Sequence, residues 1–231
     1  KGYCMTICNR AGDGLYNVLV TICILLHKEK ELDQQEIFKI LAFNDDSKIN
    51  ECLTRWIELG LFVKENKKVR FSNIIESYIE TKDAQLFSES LPSALRKIIF
   101  SDQNNKNFWD NEQNKAADFT RGLSWLLAQN IKEFDFSETG MQSLNNKQTD
   151  KDIVKNNTRI SGIKTWSKYL GFMNLSPNLM IDPTNAILEE IKLHFPEKEY
   201  TISSFLEKLS ILIPVIDGGR YRLNVEKELD E

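Results

Sequence analysis

Two stretches of the chain end alike. Thr54-Arg55-Trp56-Ile57-Glu58-Leu59-Gly60-Leu61-Phe62 is echoed by Thr165-Trp166-Ser167-Lys168-Tyr169-Leu170-Gly171-Phe172-Met173. Each reads as an amphipathic helix closed at a Leu-Gly pair, where glycine can take the left-handed residue that ends a helix. Each then enters an apolar strand and meets a short polar turn. A second strand follows, Val69-Arg70-Phe71 in the first case and Leu179-Met180-Ile181 in the second.

A glycine-ended helix followed by a β-hairpin is the back half of a winged helix-turn-helix, and Leu59 and Leu170 stand 111 residues apart. The spacing predicts a mainly α protein with short β-hairpins (α+β), built as tandem winged-helix modules joined by a helical connector. The expected boundaries are 1–75 for the first module, 76–115 for the connector and 116–182 for the second module. Residues 183–231 then form a third winged-helix-like unit or an extension of the second. At 231 residues and 41% hydrophobic content the chain can build several small cores. A charged fraction of 28% with net charge −4 excludes a uniformly basic nucleic-acid coat and an acidic disordered tail.

Along the first module, Leu15, Val18, Leu19, Ile22, Leu25 and Leu26 recur at helical spacing and mark a buried helix to His27. This run is too short to span a bilayer. An extended link passes through Leu32. Asp33 and Glu36 form a capping box for a helix whose buried side is Ile37, Ile40 and Leu41. Asn44-Asp45-Asp46 turns into a third helix capped by Ser47. There Ile49, Leu53, Trp56 and Ile57 face inward, and Lys48, Asn50, Glu51, Thr54, Arg55 and Glu58 face outward. Glu65-Asn66-Lys67-Lys68 is the wing turn. In the connector, Leu91, Leu95, Ile98 and Ile99 are helical, with Pro92 suited to a first turn.

The second module opens with a helix carrying Phe119, Leu123, Leu126 and Leu127 beside Trp125. Phe134-Asp135-Phe136 reads as a short strand, and Ser137-Glu138 as a helix start. Asn145 to Asn157 is expected as loop. The following helix to Leu170 turns Ile160, Ile163, Trp166 and Leu170 inward, and its hairpin turns at Ser176-Pro177-Asn178. Beyond it, Pro183 to His194 is amphipathic. Tyr200-Thr201-Ile202 reads as extended, with Ser203 or Ser204 capping a helix through Leu209. Ile213 to Ile216, Asp217-Gly218-Gly219 and Arg220 to Leu223 carry a hairpin signal.

Enzyme chemistry is hard to assemble. The two histidines, His27 and His194, lie outside any motif and read as helix-end or surface residues. There is no phosphate-cradling G-x-x-x-x-G-K-[ST], G-x-S-x-G, G-x-G-x-x-G or H-E-x-x-H. Glu189-Glu190-Ile191-Lys192 contains an E-x-K tripeptide, as in some metal nucleases, but reads as a solvated helix face. Cys4 and Cys8 form a C-x3-C pair without a partner pair, and Cys23 and Cys52 read as core thiols. The expectation is a reducing, cytoplasmic, non-catalytic protein with no cofactor and no metal, in which Trp56 and Trp166 are core anchors. Lys1 to Cys4 can be vector-derived, with Met5 as the natural start.

Nucleic-acid binding is the sharper expectation. Lys147, Lys151, Lys155, Arg159, Lys164 and Lys168 oppose only Asp150 and Asp152, a local charge of +4 in a chain of −4. Asn156, Asn157, Thr158, Ser161 and Thr165 add donors and acceptors suited to phosphates or base edges. The expected contacts are Lys155, Asn157, Arg159, Lys164 and Lys168 on the second recognition helix, with Lys64, Lys67, Lys68 and Arg70 on the first wing.

Asn9 to His27 followed by a helix ending Trp-x-x-Leu-Gly-Leu resembles the DpdG-like winged-helix accessory subunits of bacterial DNA-modification and phage-defence operons. The resemblance implies a non-catalytic companion of helicase, nuclease or modifying subunits. Double-stranded DNA and other subunits of a complex are the expected partners, with no membrane. The alternative is a protein–protein scaffold or homodimerisation module, of the kind that grips condensin-like complexes, without direct DNA contact.

Overall fold

The computed structural model describes residues 6–8, 15–41, 46–80, 83–110, 115–130, 134–154, 156–174, 180–196 and 199–229. Among the described residues the chain is mainly helical, with one three-stranded antiparallel sheet and one two-stranded hairpin. It divides into two compact units. One spans Gly12–Ile98, and the other joins N-terminal residues to Ile99–Glu231. Among the described residues, no helix is long and apolar enough to cross a membrane.

The first unit begins with α1 (Leu15–Glu29), which buries Val18, Leu19, Ile22, Cys23 and Leu26. Lys30, at φ 67°, ends it in the left-handed region and swings the chain into β1 (Glu31–Asp33). The expected extended link is a strand in the fold, where β1 pairs antiparallel with a later strand. The capping box forms as read. Asp33 Oδ1 accepts the Gln35 N–H at 2.8 Å, and Glu36 Oε2 accepts the Asp33 N–H at 3.0 Å, starting α2 (Gln34–Leu41). Of the expected α2 core, Ile37 is buried and Leu41 half-buried, but Ile40 is 55% exposed. By spacing the three share one face of the helix, and the covering of that face stops short of Ile40.

Next comes α3 (Asp46–Leu59), with Ile49, Cys52, Leu53 and Trp56 buried and Ile57 half-buried. Ser47 lies in the first turn of this helix. Arg55, expected outside, is buried. Gly60 (φ 91°) closes α3 by a Schellman motif: Gly60 N–H donates to the Ile57 carbonyl at 3.1 Å and Leu61 N–H to the Trp56 carbonyl at 2.9 Å. A hairpin of β2 (Phe62–Glu65) and β3 (Lys68–Phe71) follows, in register Phe62↔Phe71 to Glu65↔Lys68. Asn66 and Lys67, both at positive φ (50° and 70°), supply its two-residue turn. The strand order is β1-β3-β2.

After β3 come a short 3-10 turn, α4 (Glu76–Ile79) and α5 (Ala84–Ile99). Leu91, Leu95, Ile98 and Ile99 are buried on α5 as expected. Pro92 does not sit in the first turn; it lies inside the helix. Asp83 takes the cap instead, its Oδ1 accepting the N–H groups of Gln85 and Leu86 at 2.7 and 3.1 Å. Phe87 of α5 stacks on His27 at 4.2 Å and meets the edge of Phe71 at 5.9 Å. His27 is thus a core residue, not a surface one.

In the second unit, α6 (Ala117–Leu127) is buried along almost its whole length. Phe134-Asp135-Phe136 forms no strand. Asp135 folds back to accept from both the Ser137 N–H and its hydroxyl, each at 2.8 Å, while Phe134 packs on Trp125 and Phe136. Such an Asx turn competes with pairing. Ser137 caps α7 (Glu138–Gln148), accepting from Gly140 N–H at 3.0 Å. The expected loop therefore begins only at Thr149.

Asn156 caps α8 (Asn157–Tyr169), accepting from Arg159 N–H at 3.0 Å. Ile160, Ile163, Trp166 and Leu170 all face the core. A Cβ on Gly162 would fall 2.9 Å from the Cys8 backbone, so its absence lets the N-terminal segment lie against α8. Gly171 (φ 82°) repeats the Schellman closure: its N–H donates to the Lys168 carbonyl at 3.2 Å, and Phe172 N–H to the Ser167 carbonyl at 2.8 Å. The hairpin β4 (Met173–Asn174) with β5 (Met180–Ile181) follows. The expected turn at Ser176-Pro177-Asn178 lies outside the described residues.

The remaining helices are α9 (Thr184–His194), α10 (Ile202–Leu212) and α11 (Arg220–Glu226). Thr201, not Ser203 or Ser204, caps α10, and its hydroxyl accepts Ser204 N–H at 3.2 Å. The hairpin expected over Ile213 to Leu223 is absent. Residues 213–219 form turns, and Tyr221 N–H donates to the Pro214 carbonyl at 2.9 Å. Tyr221 and Val225, one helical turn apart, bury together on α11, which packs along α6. Arg222 and Glu226 add an i,i+4 pair at 2.6 Å. Helical burial wins over the apparent strand alternation.

Candidate nucleic-acid interface

The α8 side chains divide cleanly. Ile160, Gly162, Ile163, Trp166 and Ser167 are buried. Asn157, Thr158 and Lys168 are exposed, with Ser161, Lys164 and Thr165 half-exposed beside them. At 100° per residue, Asn157, Ser161, Lys164, Thr165 and Lys168 share one face. No acidic residue occurs anywhere on α8. The result is a polar, positively charged ridge on a helix fixed from behind by Trp166 and Ile163.

The expected contacts do not all join it. Lys155 lies outside the described residues. Arg159 points inward, 3.6 Å from the Asp118 carboxylate, with only 12% of its side chain exposed. Asp118 also accepts from the Thr6 hydroxyl at 2.5 Å and from Phe119 N–H at 2.8 Å. Burial raises the Asp118 carboxyl above its usual value, while the Thr6 hydrogen bond and Arg159 oppose the shift. Lys164 donates to the Phe136 carbonyl at 2.5 Å, and burial lowers its pKa against the pull of Glu138 and Asp135. Asn157 Oδ1 accepts from Gln142 on α7 at 3.1 Å. Lys168 projects into solvent.

On the first unit's hairpin, the cations are largely engaged at home. Lys64 donates to Gln34, Lys68 pairs with Glu31, and Arg70 pairs with Glu65 at 3.3 Å. Lys67 is exposed at the turn. The outward side of α3 mixes Lys48 with Glu58 and half-buried Glu51, and Arg55 is withdrawn into the core. The two sets of candidate residues belong to different compact units.

Sequence reasoning missed Asp118, Arg121 and Trp109. Arg121 is buried, donates to the Phe108 carbonyl, and lies 6.0 and 5.9 Å from the ring centres of Phe108 and Trp109. Burial lowers its pKa to about 10. The available signal was an acid and a base three positions apart in the apolar run Ala116 to Leu127. The E-x-K tripeptide is not a solvated face either: Glu190 is buried, 3.2 Å from His194, and Glu189 is half-buried.

No curated protein and no solved structure matches the chain. A family model described as DpdG-like matches residues 5–231, and by that match the chain belongs to the DpdG-like family.

Proposed function

We propose that this DpdG-like protein is a non-catalytic, DNA-associated subunit of a bacterial multiprotein complex serving DNA modification or phage defence, and that it reads duplex DNA with α8. The α1-β1-α2-α3-β2-β3 order, and its echo in α6-α7-α8-β4-β5, support reading both units as winged helices in which α3 and α8 hold the recognition position. The observation that carries the DNA reading is the acid-free outer face of α8, with Lys168 exposed and Asn157, Ser161 and Thr165 beside it. Such a face offers one charge for phosphate and several neutral donors for base edges.

A second reading is favoured for the first unit. Two of its hairpin cations, Lys68 and Arg70, are ion-paired and its α3 face is mixed in charge, which suits docking to another protein subunit.

The test is fluorescence anisotropy with a labelled duplex across a salt series. Binding should weaken steeply with salt, with a log–log slope of about −0.9 per phosphate contact. Lys168→Glu should weaken affinity across all sequences and reduce the slope by about 1, while Lys67→Glu should change little. Absence of binding at low salt, or full affinity in the Lys168→Glu variant, refutes the role of α8.

A further inference from the structure

The second unit is interrupted in sequence by the first, and the residues on either side of the interruption both end at α8. After it, Phe100 is buried between Phe119 of α6 and Phe172 just beyond α8, with ring centres 6.4 and 6.0 Å away. Before it, Thr6, Ile7 and Cys8 are all buried. The Thr6 hydroxyl donates to Asp118 Oδ2 at 2.5 Å, Ile7 N–H to the Lys115 carbonyl at 3.1 Å, and Cys8 N–H to Thr6 Oγ1 at 3.2 Å. On α8, Arg159 and Gly162 stand three positions apart and so share a side of the helix. Arg159 reaches the same Asp118 carboxylate at 3.6 Å. Gly162 lies so close to Cys8 that a Cβ would fall 2.9 Å from its Cα and from its carbonyl oxygen. Thr6 thus acts on α8 through a shared carboxylate, and Cys8 by direct approach of backbone. We propose that Thr6 to Cys8 form a clip that sets the pose in which α8 meets DNA.

This inference rests on the proposed reading of duplex DNA by α8 and concerns how that helix is aimed. Its apolar row of Ile160, Ile163 and Trp166 keeps it against the core, but apolar contact is non-directional and does not by itself fix rotation. The Arg159–Asp118 pair and the Gly162–Cys8 approach do, because each demands one register of helix against clip. Base-edge contacts need that register, since a hydrogen bond weakens steeply with distance and angle. Asn157 and Ser161 flank Arg159 in the chain and turn outward, so a shift of Arg159 moves both. Thr6 completes the shell of Asp118, whose other hydrogen bond comes from Phe119 N–H. Removing the hydroxyl takes one support from a buried carboxylate and loosens its hold on Arg159.

Gly162→Ala separates the clip from the helix. Alanine is the stronger helix former, so α8 itself gains, while the new Cβ pushes Cys8 away. Thr6→Val keeps the side-chain shape and removes the hydroxyl; Thr6→Ser restores it. Duplex affinity of the full chain is read by anisotropy at low salt, and amide hydrogen exchange by mass spectrometry. Gly162→Ala and Thr6→Val should each bind about five- to tenfold more weakly, the fall expected when the reading pose drops to about 10–20% of the population. Thr6→Ser should bind like the parent. Exchange should quicken in residues 6–8 and along α8 but not in α10 or α11, with circular dichroism unaltered. Parent-like affinity in both weakened variants overturns the clip and leaves the α8 reading standing. Exchange that quickens throughout the second unit also overturns it, because the segment then serves general stability alone. Absence of duplex binding by the parent removes the α8 reading and this inference with it.

Discussion

The two Schellman glycines form a matched pair from which backbone strain and steric clash can be separated. Gly60 and Gly171 occupy the same place in their motifs, at φ 91° and 82°. Alanine at either site meets left-handed strain of about 1–2 kcal/mol. It also recovers about 0.4–1 kcal/mol by restricting the unfolded chain. The surroundings then differ. A Cβ at Gly60 would meet only Ile74 Cδ1, at 3.9 Å, which is ordinary contact. A Cβ at Gly171 would fall 2.8 Å from Ala186 N and 3.2 Å from Ala186 Cα, in the first turn of α9. Those atoms are backbone and cannot rotate aside. The Gly171 carbonyl also accepts the Ala186 N–H at 3.0 Å, so relief of the clash strains the bond that seats α9.

Gly60→Ala should therefore cost about 1 kcal/mol net. Gly171→Ala should cost about 2–4 kcal/mol once overpacking adds its share. Urea unfolding is the assay, followed by circular dichroism and tryptophan emission, with Trp56 reporting the first unit and Trp109, Trp125 and Trp166 the second. With an m-value near 2 kcal/mol/M, the midpoint shifts are about 0.5 M and about 1–2 M. Equal shifts, or a larger one for Gly60→Ala, would refute the reasoning that contact with Ala186 sets the difference.

Two further outcomes follow from buried ionisable groups. Burial pushes the Cys52 thiol from 9.0 up to about 12, and Cys23 well above its usual value. The folded chain then keeps protons that the unfolded chain releases, so this stability is intact below pH 9 and is lost as pH rises toward 12. The slope is about 1.4 kcal/mol per pH unit for each thiol, so Cys52→Ala should lose less stability than the parent between about pH 8 and about pH 10 in urea melts; identical losses would count against it. Asp118→Ala should destabilise the second unit by about 3–5 kcal/mol, because Arg159 and Arg121 lose their buried counter-charge. A loss below about 1 kcal/mol in the same assay would show that this cluster is not a buried ion pair.

Much of the fold was legible because it rests on local chemistry. The capping box at Asp33, the Ser137 cap and the two glycine closures each involve residues within a few positions of one another. What escaped depended on long-range partners. Strand β1 exists because β3 lies beside it, and nothing within Glu31-Leu32-Asp33 announces that. Phe134-Asp135-Phe136 has the stronger strand character, but Asp135 closes a turn instead. At the candidate interface the helix and its inward face were readable from periodicity, whereas the diversion of Arg159 was not, because its partner Asp118 is 41 residues away.

The repeat itself contains a signal that helical periodicity alone obscures. Superposing the motifs at Leu59-Gly60 and Leu170-Gly171 places Arg55 at the position of Trp166, and Lys164 at that of Leu53. Trp166 and Leu53 are both core residues. Each basic residue therefore sits at a position whose counterpart is buried, and each is drawn inward: Arg55 is fully covered and Lys164 leans onto the Phe136 carbonyl. Lys168 corresponds to half-buried Ile57 and still reaches solvent, so it, rather than the total of lysines in the segment, sets the charge α8 can offer. Common closure geometry thus coexists with different outward faces. The glycine and the apolar rows are constrained by packing, while among the described residues no hydrogen bond or ion pair holds the Lys168 or Thr165 side chain, and Asn157 is held by Gln142. Residues that the core leaves free are those in which a binding role can be written without loss of stability, so the difference between α3 and α8 is where a division of labour between the two units would be encoded.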